Sequence, residues 1–255
     1  MGNANLTTEP NASTDACALR LLCAGAMHGV IDALEGTFSS RVGKPVHASF
    51  ANSGGVKARV MAGERADVAI STAAAIEELA RGRKVASATA LARSPIGVAV
   101  RAGAMRPYIG SVEAFRHALV AAKSIAIADP ATGSPSANHL VELFERMSLT
   151  QSLRGKIRHV GGGVGGVVKV GEAVARGDAD MAIQQMPELV DVAGLEVVGE
   201  LPAGLQHLTV FSAGLVATTV DEAAARRLIA YLTSPQAAAA IRAKGMQPAR
   251  DIQRE

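Results

Sequence analysis

Residues 21–38 read LLCAGAMHGVIDALEGTF. The opening Leu21-Leu22-Cys23-Ala24 is a continuous apolar run, as expected of a strand covered on both faces. From His28 onward, apolar residues at Val30, Ile31, Leu34 and Phe38 recur at helical spacing. Small residues join the two. A strand that breaks into a helix over such a turn offers a ligand the helix N-terminus, where first-turn amides lack intrahelical acceptors and the dipole is positive. The usual helix opener is Ser, Thr, Asp or Asn. Here Ala26, Met27 and His28 stand in its place, so the turn keeps backbone donors and gives up a hydroxyl.

The same alternation continues along the chain. Strands are expected at Leu19–Ala24, Pro45–Phe50 and Asp67–Ser71, with helices at His28–Arg41, Gly54–Gly63 and Ala73–Arg81. A second set follows. Its strands are Ile96–Arg101, Ser124–Ala128, Ile157–Val160, Met181–Gln185, Glu196–Glu200 and Thr209–Val216. Its helices are Val112–Ala122, Ser136–Arg146 and Val167–Arg176. Helices Asp221–Thr233 and Pro235–Lys244 close the pattern, the latter with Ser234 as N-cap and Pro235 at the first helical position. Alternating strands and helices specify an α/β fold with mostly parallel sheets flanked by helices.

Composition narrows the function. Forty-nine per cent of the 255 residues are hydrophobic, enough for one large domain or two lobes. No apolar run reaches the length of a membrane span, so no membrane insertion is expected. Aromatic content of 3% without Trp, and a net charge of +3 spread without a basic stripe, argue against a nucleic-acid partner. Cys17 and Cys23 lie too far apart along an extended strand, roughly 20 Å, to form a disulfide. Residues 1–16 are polar and read as a disordered tail without the apolar core of a signal peptide. As written, the sequence points to the cytoplasm; a periplasmic location would require that a leader had been removed.

Ligands of open α/β sheets sit beyond the strand carboxyl ends. Those segments here hold Gly, Ser, Thr, Asn and Gln and no Lys or Arg. Such neutral donors suit a dehydrated anion or a small polar solute. The candidates are Ala26, Met27 and His28; Asn52, Ser53 and Gly54; Ser71 and Thr72; Gly133, Ser134 and Ser136; and Gln185. Each has a plainer reading: Ser53 and Thr72 as helix caps, Met27 as core, His28 as a solvent-facing first-turn residue. Of Gln184 and Gln185, strand alternation sends one toward the cleft. The stretch Gly161–Gly166 formally reads G-x-G-x-x-G, yet the strand after it ends in Gln184-Gln185, where a dinucleotide fold places an acid. The remaining histidines lack metal-ligand spacing, so neither a metal nor a cofactor is expected.

In order and spacing, AMHGVIDALEGTFSSRVGKPV (26–46), FANSGGVKARVMAGERADVAIS (50–71), VGEAVARGDADMAI (170–183) and LIAYLTSPQAAAAIRAKGMQP (228–248) resemble the type II periplasmic solute-binding proteins, most closely their molybdate-binding branch. The resemblance implies two lobes joined by two hinge crossovers. Lobe one would hold residues 17–97 and 210–255, and lobe two 98–209. It also implies solute capture by hinge closure and hand-off to the permease of an ABC transporter. The family's first ligand hydroxyl falls on Ala26, where it is absent. Its second falls on Ser53, where it is kept. Backbone donors fall near Gly133, Ser134 and Val167, and a ligand Tyr falls on Gln185.

With two of those side chains changed, a carboxylate or neutral organic solute is as open as a tetrahedral oxyanion. The expected function is capture of a small anionic or polar organic solute by a monomer or weak dimer. The alternative is an isomerase, tautomerase or lyase acting on a small carboxylate, with His28 as acid and base and Asp129 as the nearest candidate carboxylate partner.

Overall fold

The computed structural model describes residues 18–161 and 169–252. Cys17, Val167 and most of the 161–166 glycine run therefore lie outside the described residues. In the first half, strands β1 (Leu19–Ala24), β2 (Val46–Ala51), β3 (Val68–Thr72), β4 (Val85–Ser94) and β5 (Ile96–Arg101) alternate with helices α1 (His28–Val42), α2 (Ser53–Met61) and α3 (Ala73–Arg81). Then come α4 (Val112–Ala121), β6 (Ile125–Ala128), α5 (Pro135–Arg146), α6 (Thr150–Leu153), β7 (Ile157–Val160), α7 (Val170–Arg176), β8 (Met181–Gln185) and β9 (Leu195–Glu200). The chain finishes with β10 (Thr209–Val216), α8 (Glu222–Leu232), α9 (Pro235–Ala243), β11 (Gln247–Pro248) and α10 (Ala249–Ile252).

These strands form two sheets, ordered β11-β4-β10-β3-β1-β2 and β7-β6-β8-β5-β9, each flanked by helices. Both are mixed. The expected parallel pairing holds where a helix carries the chain back over the sheet, β1 with β2 and β3, and β6 with β7 and β8. β10, β4 and β11 pair antiparallel in the first sheet, and β5 pairs antiparallel with β8 and β9 in the second. β10 and β11 therefore run opposite to the other four strands of the first sheet, and β5 runs opposite to the other four of the second.

Side-chain alternation divides the cores. Leu19, Leu21 and Cys23 pack beneath α1, α8 and α9, while Leu22 joins Val56, Ile76 and Leu79 on the other face. In the second sheet Ile125 and Ile127 pack with Phe115, Leu140 and Leu143, while Ala126 and Ala128 let Val170 and Val174 of α7 come close. Gly43 ends α1 in the left-handed conformation, φ 83°, which glycine adopts without strain. Phe38 of α1, 1% exposed, meets the edge of Tyr231. Cys23 is a buried free thiol whose burial raises its pKa, keeping it protonated and unreactive.

Asp67 ties the first sheet together. Its carboxylate accepts from the Arg20 amide (2.8 Å) and the Thr219 hydroxyl (2.6 Å), linking β1, β3 and the turn after β10. Asp67→Ala should lower stability by about 2 kcal/mol, because two donors lose a charged acceptor. Denaturant titration would register this as a lower midpoint with an unchanged slope.

Two crossovers join the sheets, one at Pro95 and one over residues 201–208. Gln206 stitches them side by side, its amide accepting from Ile96 N (2.9 Å) and donating to Ile96 O (3.0 Å). No described helix is long and apolar enough to cross a membrane.

Candidate functional site

Several strand ends deliver helix N-termini to one hollow between the sheets. From the first sheet come Gly25 and Ala26, at the short 3₁₀ turn after β1, and Asn52 and Ser53, at the start of α2. From the second come Ser134 and Pro135, at the start of α5, with Gln184 and Gln185 at the end of β8. Phe211 of β10 completes the wall, and Glu188, from the 3₁₀ turn after β8, also faces it. The hollow holds about 20 Å³, room for little more than one water-sized body.

The polar groups are held in place by one another. Asn52 caps α2, its Oδ1 accepting from Gly55 N at 2.7 Å. Ser134 precedes α5 without capping it; its hydroxyl lies 3.1 Å from that of Ser136, which donates to Gln184 Oε1 at 3.2 Å. Gln185 donates from Nε2 to the Thr209 hydroxyl at 2.8 Å, and its own Oε1 is buried with no partner. Because a hydroxyl both donates and accepts, the Gln185 amide can turn end for end and present either group to a ligand.

Glu188 is the titratable side chain among the described residues lining the hollow. Burial disfavours its charged form and pushes its pKa up to about 8, against a smaller opposing effect from the hydrogen bond with Gln184. No Lys or Arg is present in that lining. Among the described residues no group of three or more His, Cys, Asp or Glu side chains is gathered to hold a metal.

A larger cleft of about 830 Å³ adjoins the hollow, and Gly25 and Glu188 border both. His28 lines this outer cleft, not the inner hollow. Its Nδ1 lies 3.3 Å from Asp32 Oδ2, one helical turn on, and its ring stands edge-on to Phe50 at 4.2 Å. The carboxylate partner is thus Asp32; Asp129 is engaged in capping the backbone N–H of Ala131.

The structure brings Ala26, Asn52, Ser53, Ser134 and Gln185 into the hollow, with Ser136 one hydrogen bond behind. Met27 is fully buried core. Ser71 stands behind the site and donates to the Ser53 carbonyl at 3.1 Å, and Thr72 caps α3 at Ala75 N. Gly54 and Gly133 are where the lobes touch. A Cβ on Gly54 would lie 3.2 Å from Thr132 O, and one on Gly133 3.5 Å from the Gly54 Cα. Farther out, Lys244 after α9 pairs with Asp191 beyond β8 at 2.5 Å.

Sequence reasoning missed two residues here. Both Gln184 and Gln185 reach the hollow, because β8 ends at Gln185 and alternation no longer separates them. Glu188 carries no local signal. An acid after Met-Pro reads as a surface residue, and only the opposing lobe turns it inward.

Residues 19–247 match the family described as bacterial extracellular solute-binding protein. An aconitate isomerase from a Pseudomonas species is 33% identical over 244 residues, covering 93% of this chain and 90% of the relative. The periplasmic molybdate-binding protein of Azotobacter vinelandii superposes with a TM-score of 0.74 at 22% identity, over 89% of this chain and 98% of that one. A sulfate-binding protein from Mycobacterium tuberculosis superposes at 0.70 with 18% identity, over 91% and 87%. The two-lobed fold, the interlobal hollow and the match over nearly the whole chain agree: this protein belongs to the bacterial extracellular solute-binding protein family.

Proposed function

We propose that the protein closes on a small polycarboxylate of the aconitate type and moves its double bond, an isomerase built on a solute-binding scaffold. The observation that carries this reading is the meeting of the inner hollow and the outer cleft at Gly25 and Glu188. With the lobes parted enough to widen the inner hollow, one carboxylate can sit beneath the helix N-termini while the rest of a longer molecule extends into the outer cleft, room that a tetrahedral oxyanion does not need. The kinship with an aconitate isomerase supports the same substrate class. The hydroxyl-free turn at Ala26 fits it too, because a planar carboxylate requires fewer donors than a tetrahedral anion.

The chemistry is a proton shift along an allylic system. A CH₂ beside a carboxylate and a C=C gives up a proton, and the far alkene carbon receives one. The negative charge that develops spreads onto carboxylate oxygen, where preset amide N–H groups stabilise it. Capture without conversion, for hand-off to a membrane permease, is the second reading, and family membership favours it.

Incubation with trans-aconitate or with cis-aconitate, followed by proton NMR, should reach the same mixture from either side. Ser53→Ala and Ser134→Ala should each weaken calorimetric affinity about five- to tenfold, the worth of one hydrogen bond to an anion. Tight binding of molybdate or sulfate, with neither binding nor conversion of aconitate, would sink the isomerase reading. Binding without conversion would leave the permease reading standing.

A further inference from the structure

We propose that Glu188, and not His28, is the catalytic residue that carries the proton, acting as a single base that removes it from one carbon and returns it to the other. This rests on the isomerase reading above. The placement supports it: Glu188 stands where the inner hollow meets the outer cleft, beside the part of a polycarboxylate that emerges from the helix N-termini. Its carboxyl is steadied by Gln184, which is held in turn by Ser136. His28 lies farther out, half exposed and engaged with Asp32.

The step balances without any co-reactant. The Glu188 carboxylate takes a proton from the substrate CH₂, and the C–H electron pair becomes the new C=C. The former C=C pair moves to the far carbon and its carboxylate, and the Glu188 carboxylic acid then delivers the proton there. Glu188 ends as it began. A carboxyl raised toward neutrality is a stronger base than an ordinary one and is still a competent acid in the return step.

Around Glu188 the cleft presents His28 and Asp32 from α1, Lys169 at the N-cap of α7, Glu172 and Arg176 from α7 itself, and Asp191 beyond its own turn. The deprotonation of Glu188 should show as a rise in kcat/KM with pH whose midpoint lies near 8.

The test uses the intact protein and its Glu188→Gln, Glu188→Asp and His28→Ala variants, with aconitate in H₂O and D₂O. Glu188→Gln should lose at least 10³-fold in kcat while its calorimetric affinity stays within about fivefold. Glu188→Asp should keep measurable turnover with its pH limb moved. His28→Ala should retain kcat within about tenfold. Wild type and Glu188→Gln of similar kcat, or a pH limb unmoved in Glu188→Asp, would overturn the assignment and leave the isomerase reading intact. A wild-type protein that neither converts aconitate nor exchanges its CH₂ protons with D₂O would overturn both.

Discussion

Glu188→Gln should make the unliganded protein more stable, and the gain should grow as pH rises from about 5 to 8. The carboxyl titrates near 8 in the folded chain and near 4.5 when unfolded, so between those values the folded state holds the extra proton. Stability contributed by that proton is complete below the unfolded pKa and disappears as pH climbs through the folded one. The neutral amide escapes this penalty. At pH 8 to 9 the difference should be roughly 3 kcal/mol, after allowance for partial exposure of the carboxyl in the hollow. That corresponds to a melting temperature about 8 °C higher, shrinking toward zero near pH 5. Scanning calorimetry of both proteins across this range checks the prediction. A gain that is equal at all pH values would mean that repacking, rather than ionisation, sets it. A variant that gains stability as it loses turnover is the expected signature of a functional group kept against the interest of the fold.

Gly54→Leu should leave the fold intact and weaken ligand binding by about 100-fold. Gly54 lies against the backbone of Thr132 and Gly133 across the gap between the sheets, and even a methyl group would be tight there. A leucine side chain meets main chain that cannot rotate away. The lobes can part to relieve it, so the free protein need not unfold. The clash is then felt only on closure. Overpacking of this kind costs about 1–3 kcal/mol, which falls directly on affinity. Calorimetry should find the loss, and the unliganded melting temperature should stay within a degree or two of wild type. Small-angle scattering should show a variant that remains extended at ligand concentrations that compact the wild type. Unimpaired affinity would place the ligand-bound state farther open than the contact at Gly54 implies.

The elements that could be read from the chain are those with a strong local pattern. The apolar runs at Leu19–Ala24, Ile96–Arg101 and Met181–Gln185 announce buried strands, and the structure holds them at those residues. β4 was silent. Its sequence, VASATALARS, is mostly Ala, Ser and Thr, with an alternation too faint to separate from a loop. It becomes a strand because β10, more than a hundred residues away, pairs with it. The site divides in the same way. Ser53, Ser134 and Gln185 stand at strand-to-helix junctions, and topology alone predicts where those point. The Asp32 partner of His28 was legible as an i,i+4 pair on α1, whereas Glu188 depends on which turn faces the other lobe, and no short-range pattern records that.

β10 lies in the middle of the first sheet, between β3 and β4, although its eight residues follow the whole of the second sheet in the chain. During translation, residues 96–200 can therefore complete their sheet while the earlier-made β1, β2 and β3 still wait for their central neighbour. Until Thr209–Val216 emerge, β3 and β4 expose unpaired edges of the kind that invite wrong association. A nascent chain stalled before Thr209 would carry a finished later half and an unfinished earlier one, reversing the usual order in which a ribosome's product matures.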